Sequence, residues 1–415
     1  LLLLCYVCGL ALGIHLIVAQ MIFVAGLLFY FRRYTYTRNS LLIAMGASAV
    51  AFFIAYPGIV KKFPSMMNVS AIFGVIIIGL LVFGIYYGRA KKMATLSLFC
   101  LSAFLIILGY STYISVLQRS NVTNLPLDEN NPDNLPALLS YLNREQYGEQ
   151  PLVLPRRYSQ EPQHRPTWEN YTGDMDFMWS YQIKEMFLRY LFWQYVGRAG
   201  YNQGDGVDPS KFFMIPMILG LIGIWVHFRR DWKMAFVFMM MFIAMGVVTA
   251  LYQNQQDPQP RERDYFYVGA FMVYSMWIGI GIYGLIEIIR EATKKETMMA
   301  GGSVILLASF IFVPMNMLRV NYHYQDRSKN YFAYDYAYNI LQSVEKDAII
   351  FTNGDNDTFP LWCLQAAYGI RTDVRIVNLS LAQTEWYNIQ LKNERPYGAL
   401  TVPFTMTDAQ LRKIQ

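Results

Sequence analysis

The sequence predicts a mostly α-helical, polytopic membrane protein: a bundle of transmembrane helices joined to an α/β domain outside the membrane. Three observations lead to this fold class. Hydrophobic residues make up 54% of the 415 residues and charged residues only 15%, against roughly 25% in soluble domains. Long apolar runs alternate with short basic loops, and the C-terminal part has a strand, helix, strand pattern.

The apolar runs divide the chain into segments. A bilayer core about 30 Å thick needs about 20 apolar residues of helix, because backbone groups in lipid must bond internally. The qualifying runs are 1–31, 40–60, 69–88, 93–117, 212–228, 234–252, 266–289 and 298–318. We therefore expect four spans in 1–118, an extramembrane segment at 119–211, four spans in 212–320 and the start of an α/β domain at 321–415. Both ends read as cut, so we expect part of the working protein to lie beyond them.

Basic residues predict the orientation of the bundle. They concentrate in the loops after the first, third, fifth and seventh spans: Arg32, Arg33, Arg38, Arg89, Lys91, Lys92, Arg229, Arg230, Lys233, Arg290, Lys294 and Lys295. The positive-inside rule places these loops in the cytoplasm. The segment 119–211, the loop 253–265 and everything after about residue 320 then face the other side. The net charge of +6 thus indicates topology, and no nucleic acid is expected as a partner.

Two extramembrane segments have recognisable patterns. Residues 176–198 form a long aromatic helix interrupted by Lys184, Glu185 and Arg189. It either lies along the membrane–water boundary or packs inside the protein. After residue 320 we expect a helix at 330–345, a strand at 347–352, a turn at 353–357, a helix at 359–368 that stops at Gly369, and a strand at 374–379. This spacing predicts a parallel βαβ unit.

The most promising site is the loop at 257–265, which joins two spans on the outer side. It contains Arg261, Glu262, Arg263 and Asp264 between prolines and the next helix. Two arginines beside a bilayer can bind a lipid-linked phosphate through paired hydrogen bonds, with Glu262 and Asp264 holding the guanidinium groups. The alternative is a solvated turn whose charges pair with one another.

Two acidic pairs are further candidates. Asp355 and Asp357 follow a predicted strand and offer oxygen ligands to a divalent cation, although a structural turn or helix cap is the favoured interpretation. Asp128 and Glu129 follow the fourth span, where carboxylates can act as a base or bind substrate. A polar loop with a helix cap is again the favoured alternative.

Several motifs resemble a known family. They are DENNPDN at 128–134, LSYLNREQYG at 139–148, PQPRERDYFYVG at 258–269, GDNDTFPLW at 354–362, RTDVR at 371–375 and VNLSL at 377–381. Together they resemble the Bacteroidetes membrane-protein family called domain-of-unknown-function 2723. That family is grouped with GT-C type glycosyltransferases and is similar to protein O-mannosyltransferases.

The resemblance implies a function. A GT-C-like bundle would transfer a sugar from a polyprenyl-phosphate donor to a protein or glycan acceptor in the periplasm, within the bacterial inner membrane. Its partners would be membrane lipids, the donor and that acceptor, with a divalent cation as a possible cofactor. The family's acidic residue that serves as base or metal ligand lies N-terminal to this chain. The alternative is a non-catalytic inner-membrane component of a secretion or cell-envelope assembly.

Overall fold

The computed structural model describes residues 1–143, 145, 169–200, 204–255, 257, 259, 261–292 and 295–413. Pro258 and Pro260 lie outside these residues. The proline-containing stretch 151–172, which the sequence predicts to be an extended loop, also lies outside them except for residues 169–172. The chain forms two compact units. The first contains Ile14–Tyr56 and Glu149–Gln325, and the second contains Leu2–Gly13, Pro57–Gly148 and Asp326–Gln415.

Helices dominate both units. The elements in chain order are α1 (Leu2–Leu12), α2 (Gln20–Arg33), α3 (Arg38–Val69), α4 (Ala71–Ala90), α5 (Ala94–Ser120), α6 (Leu135–Asn143), α7 (174–195), α8 (Ile215–Arg230), α9 (Trp232–Gln253), α10 (Asp264–Glu291), α11 (Ala300–Gln325), α12 (Phe332–Gln342), β1 (Ile349–Thr352), α13 (Asp355–Tyr368), β2 (Arg375–Asn378), α14 (Glu385–Asn393) and α15 (Asp408–Leu411).

The structure confirms a polytopic helical membrane protein. Within the described residues, six helices are long and apolar enough to cross a bilayer: α3, α4, α5, α9, α10 and α11. The run 1–31 is not one helix, as the sequence predicted, but α1 and α2 of 11 and 14 residues. The break at Gly13 to His15 falls where the chain passes from the second unit to the first. The run at 212–228 contains α8, which has 16 residues.

Helix α7 packs inside the first unit, which decides between the two alternatives for the aromatic segment. Its buried side chains join those of α8, α9 and α10 in one hydrophobic core, and the largest are Phe177, Phe187, Tyr190, Tyr267 and Trp277. Burying a large apolar side chain contributes about 1.5–3 kcal/mol relative to exposure. Aromatic packing therefore fixes α7 firmly against the membrane helices of its unit.

Close helix contact in the first unit depends on glycine. Helices α8 and α10 approach so closely at Gly223 and Gly281 that a Cβ on Gly281 would overlap the backbone carbonyl of Leu219. By contrast, a Cβ on Gly279, two residues earlier in the same helix, would meet no atom within 4 Å. Small residues commonly permit such contacts between membrane helices.

This contrast provides a matched test of the packing. We expect Gly281→Val to destabilise the protein by about 1–3 kcal/mol or more, because the overlap involves backbone that cannot move aside. Gly279→Val should have little effect, although it introduces the same side chain into the same helix. Thermal unfolding in detergent measures both. Equal unfolding temperatures for the two variants would contradict the close contact of α8 and α10.

The second unit contains the predicted parallel βαβ arrangement. Strand β1 pairs with β2 in parallel, in a register that runs from Ile349 opposite Arg375 to Thr352 opposite Asn378. Helix α13 connects them and ends at Gly369, whose φ of +66° is the left-handed conformation that glycine favours. Helix α13 begins at Asp355, four residues before the predicted start, so the predicted turn is partly its first turn.

The two faces of this sheet are covered by different elements. Ile376 packs against buried residues of α12 and α13, among them Leu341, Leu361 and Leu364. Val377 packs instead with Tyr387 and Leu391 of α14, and Leu127 of the loop after α5 contacts the same cluster. The loop after α5 therefore forms part of the α/β domain. Successive residues of β2 face these two sides, as strand geometry requires.

Candidate functional site

Helix α7 holds Glu262, in the loop before α10, through a paired hydrogen bond. The Arg189 Nη1 and Nη2 atoms donate to Glu262 Oε1 and Oε2 at 3.2 and 3.0 Å. The Tyr190 hydroxyl also donates to Oε2, at 2.6 Å. Burial acts to raise the pKa of the Glu262 carboxyl, but the bonds from Arg189 and Tyr190 outweigh it, so this pKa lies below its ordinary value.

This arrangement corrects the predicted pairing of the loop. Glu262 was expected to hold the guanidinium of Arg261 or Arg263, yet its partner lies 73 residues earlier in the chain. The physical reason is Arg189, a charge with only 11% of its side chain exposed, which requires an anionic partner. Because Arg189 is nearly buried, it gains more from pairing with Glu262 than the exposed Arg261 would.

Arg189 also contacts aromatic rings on its own helix. Its guanidinium carbon lies 4.8 Å from the Tyr190 ring centroid and 4.4 Å from that of Trp193. The Arg198 guanidinium lies 4.0 Å from the same Trp193 ring. These are cation–π distances. The cluster of Arg189, Tyr190, Trp193, Arg198 and Glu262, which we call the α7 clamp, is therefore positioned by both charge and ring contacts.

Two more bonds fasten the loop that follows α9. The buried Gln182 side chain donates to Asn254 Oδ1 at 2.7 Å, and the Tyr171 hydroxyl donates to Asp257 Oδ2 at 2.8 Å. Burial raises the pKa of the Asp257 carboxyl, and the bond from Tyr171 acts in the opposite direction. Together with Glu262, these contacts attach the loop to the segment around α7 at three points.

The two arginines of the loop are not neutralised by its carboxylates. Arg261 is exposed and forms no hydrogen bond or ion pair with any residue that the structure describes. Arg263 donates from its backbone N–H to the Tyr190 hydroxyl at 3.0 Å and from Nη1 to the Tyr265 hydroxyl at 3.3 Å, while its buried Nε has no partner in the described part of the chain. Asp264 begins α10. The arrangement leaves two guanidinium groups available to an anion.

The two residues of the acidic pair after α5, Asp128 and Glu129, differ in their surroundings. Asp128 Oδ2 accepts a hydrogen bond from the Ser120 hydroxyl at 2.6 Å, whereas Glu129 is exposed. Burial raises the pKa of the Asp128 carboxyl, the Ser120 bond lowers it, and the charges of Asp133 and Glu394 raise it further. Asn134 accepts from the Ala137 backbone N–H at 3.0 Å and so caps α6, as the polar-loop alternative predicted.

Gln390 of α14 connects this loop to the α/β domain. Its Nε2 donates to the Leu125 carbonyl at 3.1 Å, and its Oε1 accepts from the Asp128 backbone N–H at 3.4 Å. We expect Gln390→Leu to lower the free energy of opening the loop by about 1–3 kcal/mol, because the Leu125 carbonyl loses its hydrogen-bond donor. Hydrogen exchange should show faster exchange of the Asp128 amide. The control is Gln342→Leu on the exposed face of α12; equal protection of Asp128 in both variants would refute the connection.

The second acidic pair lies in the first turn of α13. Asp357 Oδ2 accepts from the Asn353 backbone N–H at 3.4 Å, and Asp355 is exposed. Among the described residues, no group of three or more His, Cys, Asp or Glu side chains could hold a metal ion. Carboxylates in a first turn favour the helix N-terminus. A divalent cation at Asp355 and Asp357 stays a prediction.

The structure brings together residues that the sequence did not connect. Arg261 to Asp264 belong to the first unit with the α7 clamp, whereas Asp128, Glu129, Asp355 and Asp357 belong to the second. Arg189, Tyr190 and Arg198 were missed as site residues. One signal was present: Arg189 is a charge within a run of buried aromatic residues, and such a charge requires a partner elsewhere in the fold.

Comparisons with known proteins relate the chain to O-mannosyltransferases at a distance. Residues 333–415, which contain both strands and α13 to α15, match the family model described as TMEM260-associated domain 2. Over 300 residues the chain is 22% identical to the Dictyostelium discoideum protein named protein O-mannosyl-transferase tmem260. This match covers 69% of the chain and 33% of the relative, so the chain spans about a third of that relative's length. No solved structure matches the chain significantly.

Proposed function

We propose that this chain is part of a GT-C type glycosyltransferase that transfers a sugar from a polyprenyl-phosphate donor to a protein or glycan acceptor in the periplasm. The chain would belong to the Bacteroidetes family called domain-of-unknown-function 2723 and reside in the bacterial inner membrane. The similarity to a protein O-mannosyl-transferase, the membrane-spanning helices and the motifs at 128–134 and 258–269 support this proposal.

One observation carries the assignment of the donor site. Glu262 is paired with Arg189, so Arg261 and Arg263 have no carboxylate partner among the described residues. Both lie in a loop that is fastened at three points. A guanidinium binds phosphate oxygens through paired hydrogen bonds. The loop directly precedes a helix long enough to cross a bilayer, which supports a position of its arginines near the level of lipid phosphates.

In this reaction Arg261 and Arg263 act only on the donor phosphate. The bond between the sugar C1 and the donor phosphate oxygen breaks, and a bond from C1 to the acceptor hydroxyl oxygen forms. The acceptor proton passes to a carboxylate base. Arg261 and Arg263 bind the phosphate and stabilise the negative charge that grows on it as the sugar departs. They contribute most if they bind the leaving phosphate more tightly than the intact donor.

Identifying the bound lipid tests this proposal. We expect the purified protein to retain a polyprenyl phosphate or its sugar derivative, detectable by mass spectrometry, and Arg261→Ala/Arg263→Ala to lose it. Ordinary phospholipids alone in the wild-type protein would count against the donor class. Co-purification of a stoichiometric protein partner, with no polyprenyl lipid, would favour the non-catalytic assembly component instead.

A further inference from the structure

A small cavity lies beside strand β2 in the second unit. Its volume is about 70 Å³, enough for several water molecules or one small organic group. The lining is largely apolar and includes Pro126, Leu127, Trp362, Leu391 and Ala399. Residues 126 and 127 come from the loop after α5, which Gln390 fastens to α14. The cavity is therefore built from a fixed loop, two helices and a strand.

Arg375 of β2 lines this cavity with a buried charge. Its side chain is only 5% exposed. Nη2 donates to the Gln390 carbonyl at 3.3 Å, whereas Nη1 has no hydrogen-bond partner among the residues that the structure describes. Burial acts to lower the pKa of this guanidinium, and the nearby Tyr387 and Glu394 act to raise it. Because arginine keeps its proton even when buried, the cavity wall carries a positive charge that is incompletely bonded.

The other buried polar side chains along the wall already have hydrogen-bond partners. Gln365 donates to the carbonyls of Arg371 and Val374, both at 2.8 Å. The Tyr387 hydroxyl accepts from the Asn378 backbone N–H at 3.0 Å and donates to the Ile376 carbonyl at 3.2 Å. Gln390 is bonded to the loop. Among the buried side chains of this wall, Arg375 Nη1 is thus a donor that remains available to a ligand.

The charges around Arg375 limit what that ligand can be. Glu394 interacts electrostatically with Arg375, yet no ion pair joins the two residues. The buried Oε2 of Glu394 has no hydrogen-bond partner in the described part of the chain. A single guanidinium, already partly offset by this carboxylate, can accommodate at most one further negative charge. A phosphate dianion would add charge that nothing else along this wall offsets. The apolar lining accommodates a short hydrocarbon stem.

We propose that this cavity is a binding site for a monocarboxylate on a short apolar stem, with Arg375 as its ligand-binding residue. The carboxylate can belong to a free acid or to the end of a larger molecule such as a peptide. A carboxylate oxygen accepts from Arg375 Nη1, and the stem packs among Leu127, Trp362 and Leu391. This site is separate from the proposed donor site and does not depend on sugar transfer.

Thermal unfolding of the purified protein in detergent tests the proposal, with sodium propionate replacing sodium chloride at constant ionic strength. We expect a saturable rise in unfolding temperature of about 2 °C, because a ligand that binds only the folded state stabilises it. Sodium phosphate at the same ionic strength should give no such rise. An Ala-Ala dipeptide separates the sources: a matching rise supports a chain-end carboxylate, and no rise supports a free acid.

Variants assign the response to Arg375. Arg375→Met should abolish the propionate response while unfolding at an equal or higher temperature without propionate, because a buried charge has been replaced by an apolar side chain of similar length. Glu394→Gln should lower the half-saturating propionate concentration, because it removes a repelling charge. Arg412→Met, a substitution at an exposed arginine of the same domain, should respond like the wild type.

Several results would overturn the site. They are no saturable rise in the wild type, an equal rise with phosphate, and an unchanged response in Arg375→Met. If Arg375→Met fails to fold, the half-saturating concentration of Glu394→Gln decides the question, and an unchanged value refutes the proposal. If Arg375 has only a structural role, Arg375→Met should unfold at a lower temperature than the wild type, and propionate should not change the unfolding temperature of the wild type.

Discussion

Replacing Glu262 with alanine is expected to destabilise the protein by about 3–5 kcal/mol, the usual effect of removing one partner from a buried ion pair. The side chains of Arg189 and Glu262 are only 11% and 17% exposed, so the nearly buried arginine would keep only the more exposed Glu185 as an anionic partner. Tyr190 would lose its acceptor as well. Chemical or thermal unfolding in detergent measures the change.

A matched control uses the same arginine. Glu185 also pairs with Arg189, at 3.2 Å, but its side chain is 40% exposed. Exposed pairs contribute about 0–1 kcal/mol, so Glu185→Ala should have a small effect. The double variant Arg189→Met/Glu262→Leu should recover most of the stability lost in Glu262→Ala, because it removes both buried charges together. Equal losses for Glu185→Ala and Glu262→Ala would contradict the α7 clamp.

The effect of Glu262→Ala should also depend on pH. The folded-state pKa of Glu262 lies below its unfolded value, so the carboxylate stabilises the fold above the unfolded pKa of about 4.3. That contribution is lost as the pH falls through the folded pKa. The difference in stability between wild type and Glu262→Ala should therefore shrink on acidification. A difference that grows toward low pH would mean that the pKa shift has the opposite sign.

Replacing both loop arginines with alanine is expected to reduce sugar transfer by about 10²-fold or more for each arginine removed. The expectation follows from the loss of guanidinium groups that stabilise charge on the departing phosphate. Transfer from a polyprenyl-phosphate-linked mannose is the first assay to use, given the relative's name. The Arg261→Ala substitution should change the free energy of unfolding by no more than about 0.5 kcal/mol, because that residue is exposed.

A second basic pair controls for the loss of charge. Lys91 and Lys92 are exposed in the loop after α4, and Lys91→Ala/Lys92→Ala should leave transfer unchanged. Arg261→Lys should keep part of the activity, because lysine retains the charge without the paired hydrogen bonds. Full activity in Arg261→Ala/Arg263→Ala would remove the site assignment. A wild type inactive with every polyprenyl donor tested would instead remove the function.

Patterns along the chain predict its helices and strands well. Six of the eight apolar runs contain a helix long enough to cross a bilayer, whereas the runs 1–31 and 212–228 contain only shorter helices within the described residues. The strand, helix, strand spacing identifies the parallel pairing of β1 and β2, because period and length are local properties. The break near Gly13 was not predicted, because the apolar run continues through it. The sequence does not distinguish whether α7 lies along the membrane–water boundary or packs inside the protein, because its aromatic residues suit both environments.

Partners distant in sequence explain what the patterns missed. Glu262 appeared to belong with Arg261 and Arg263 because they are adjacent, yet the buried Arg189 holds it. Likewise, β2 was predicted, but nothing in the sequence shows that Arg375 is buried beside a cavity that the distant loop at 126–127 helps to line. In both cases the burial of a charged residue decides its role, and burial is a property of the folded chain.

The sidedness of the loop at Arg261 underlies the proposed donor site, and cysteine labelling measures it most directly. Cys363 is exposed in the α/β domain and serves as a natural reporter, to which Arg261→Cys and Lys92→Cys are added singly. With a membrane-impermeant maleimide on intact cells whose outer membrane has been permeabilised, the account predicts labelling at positions 261 and 363 and none at 92. The opposite result would contradict it: position 261 unlabelled in the permeabilised cells and labelled, like position 92, only in inverted vesicles.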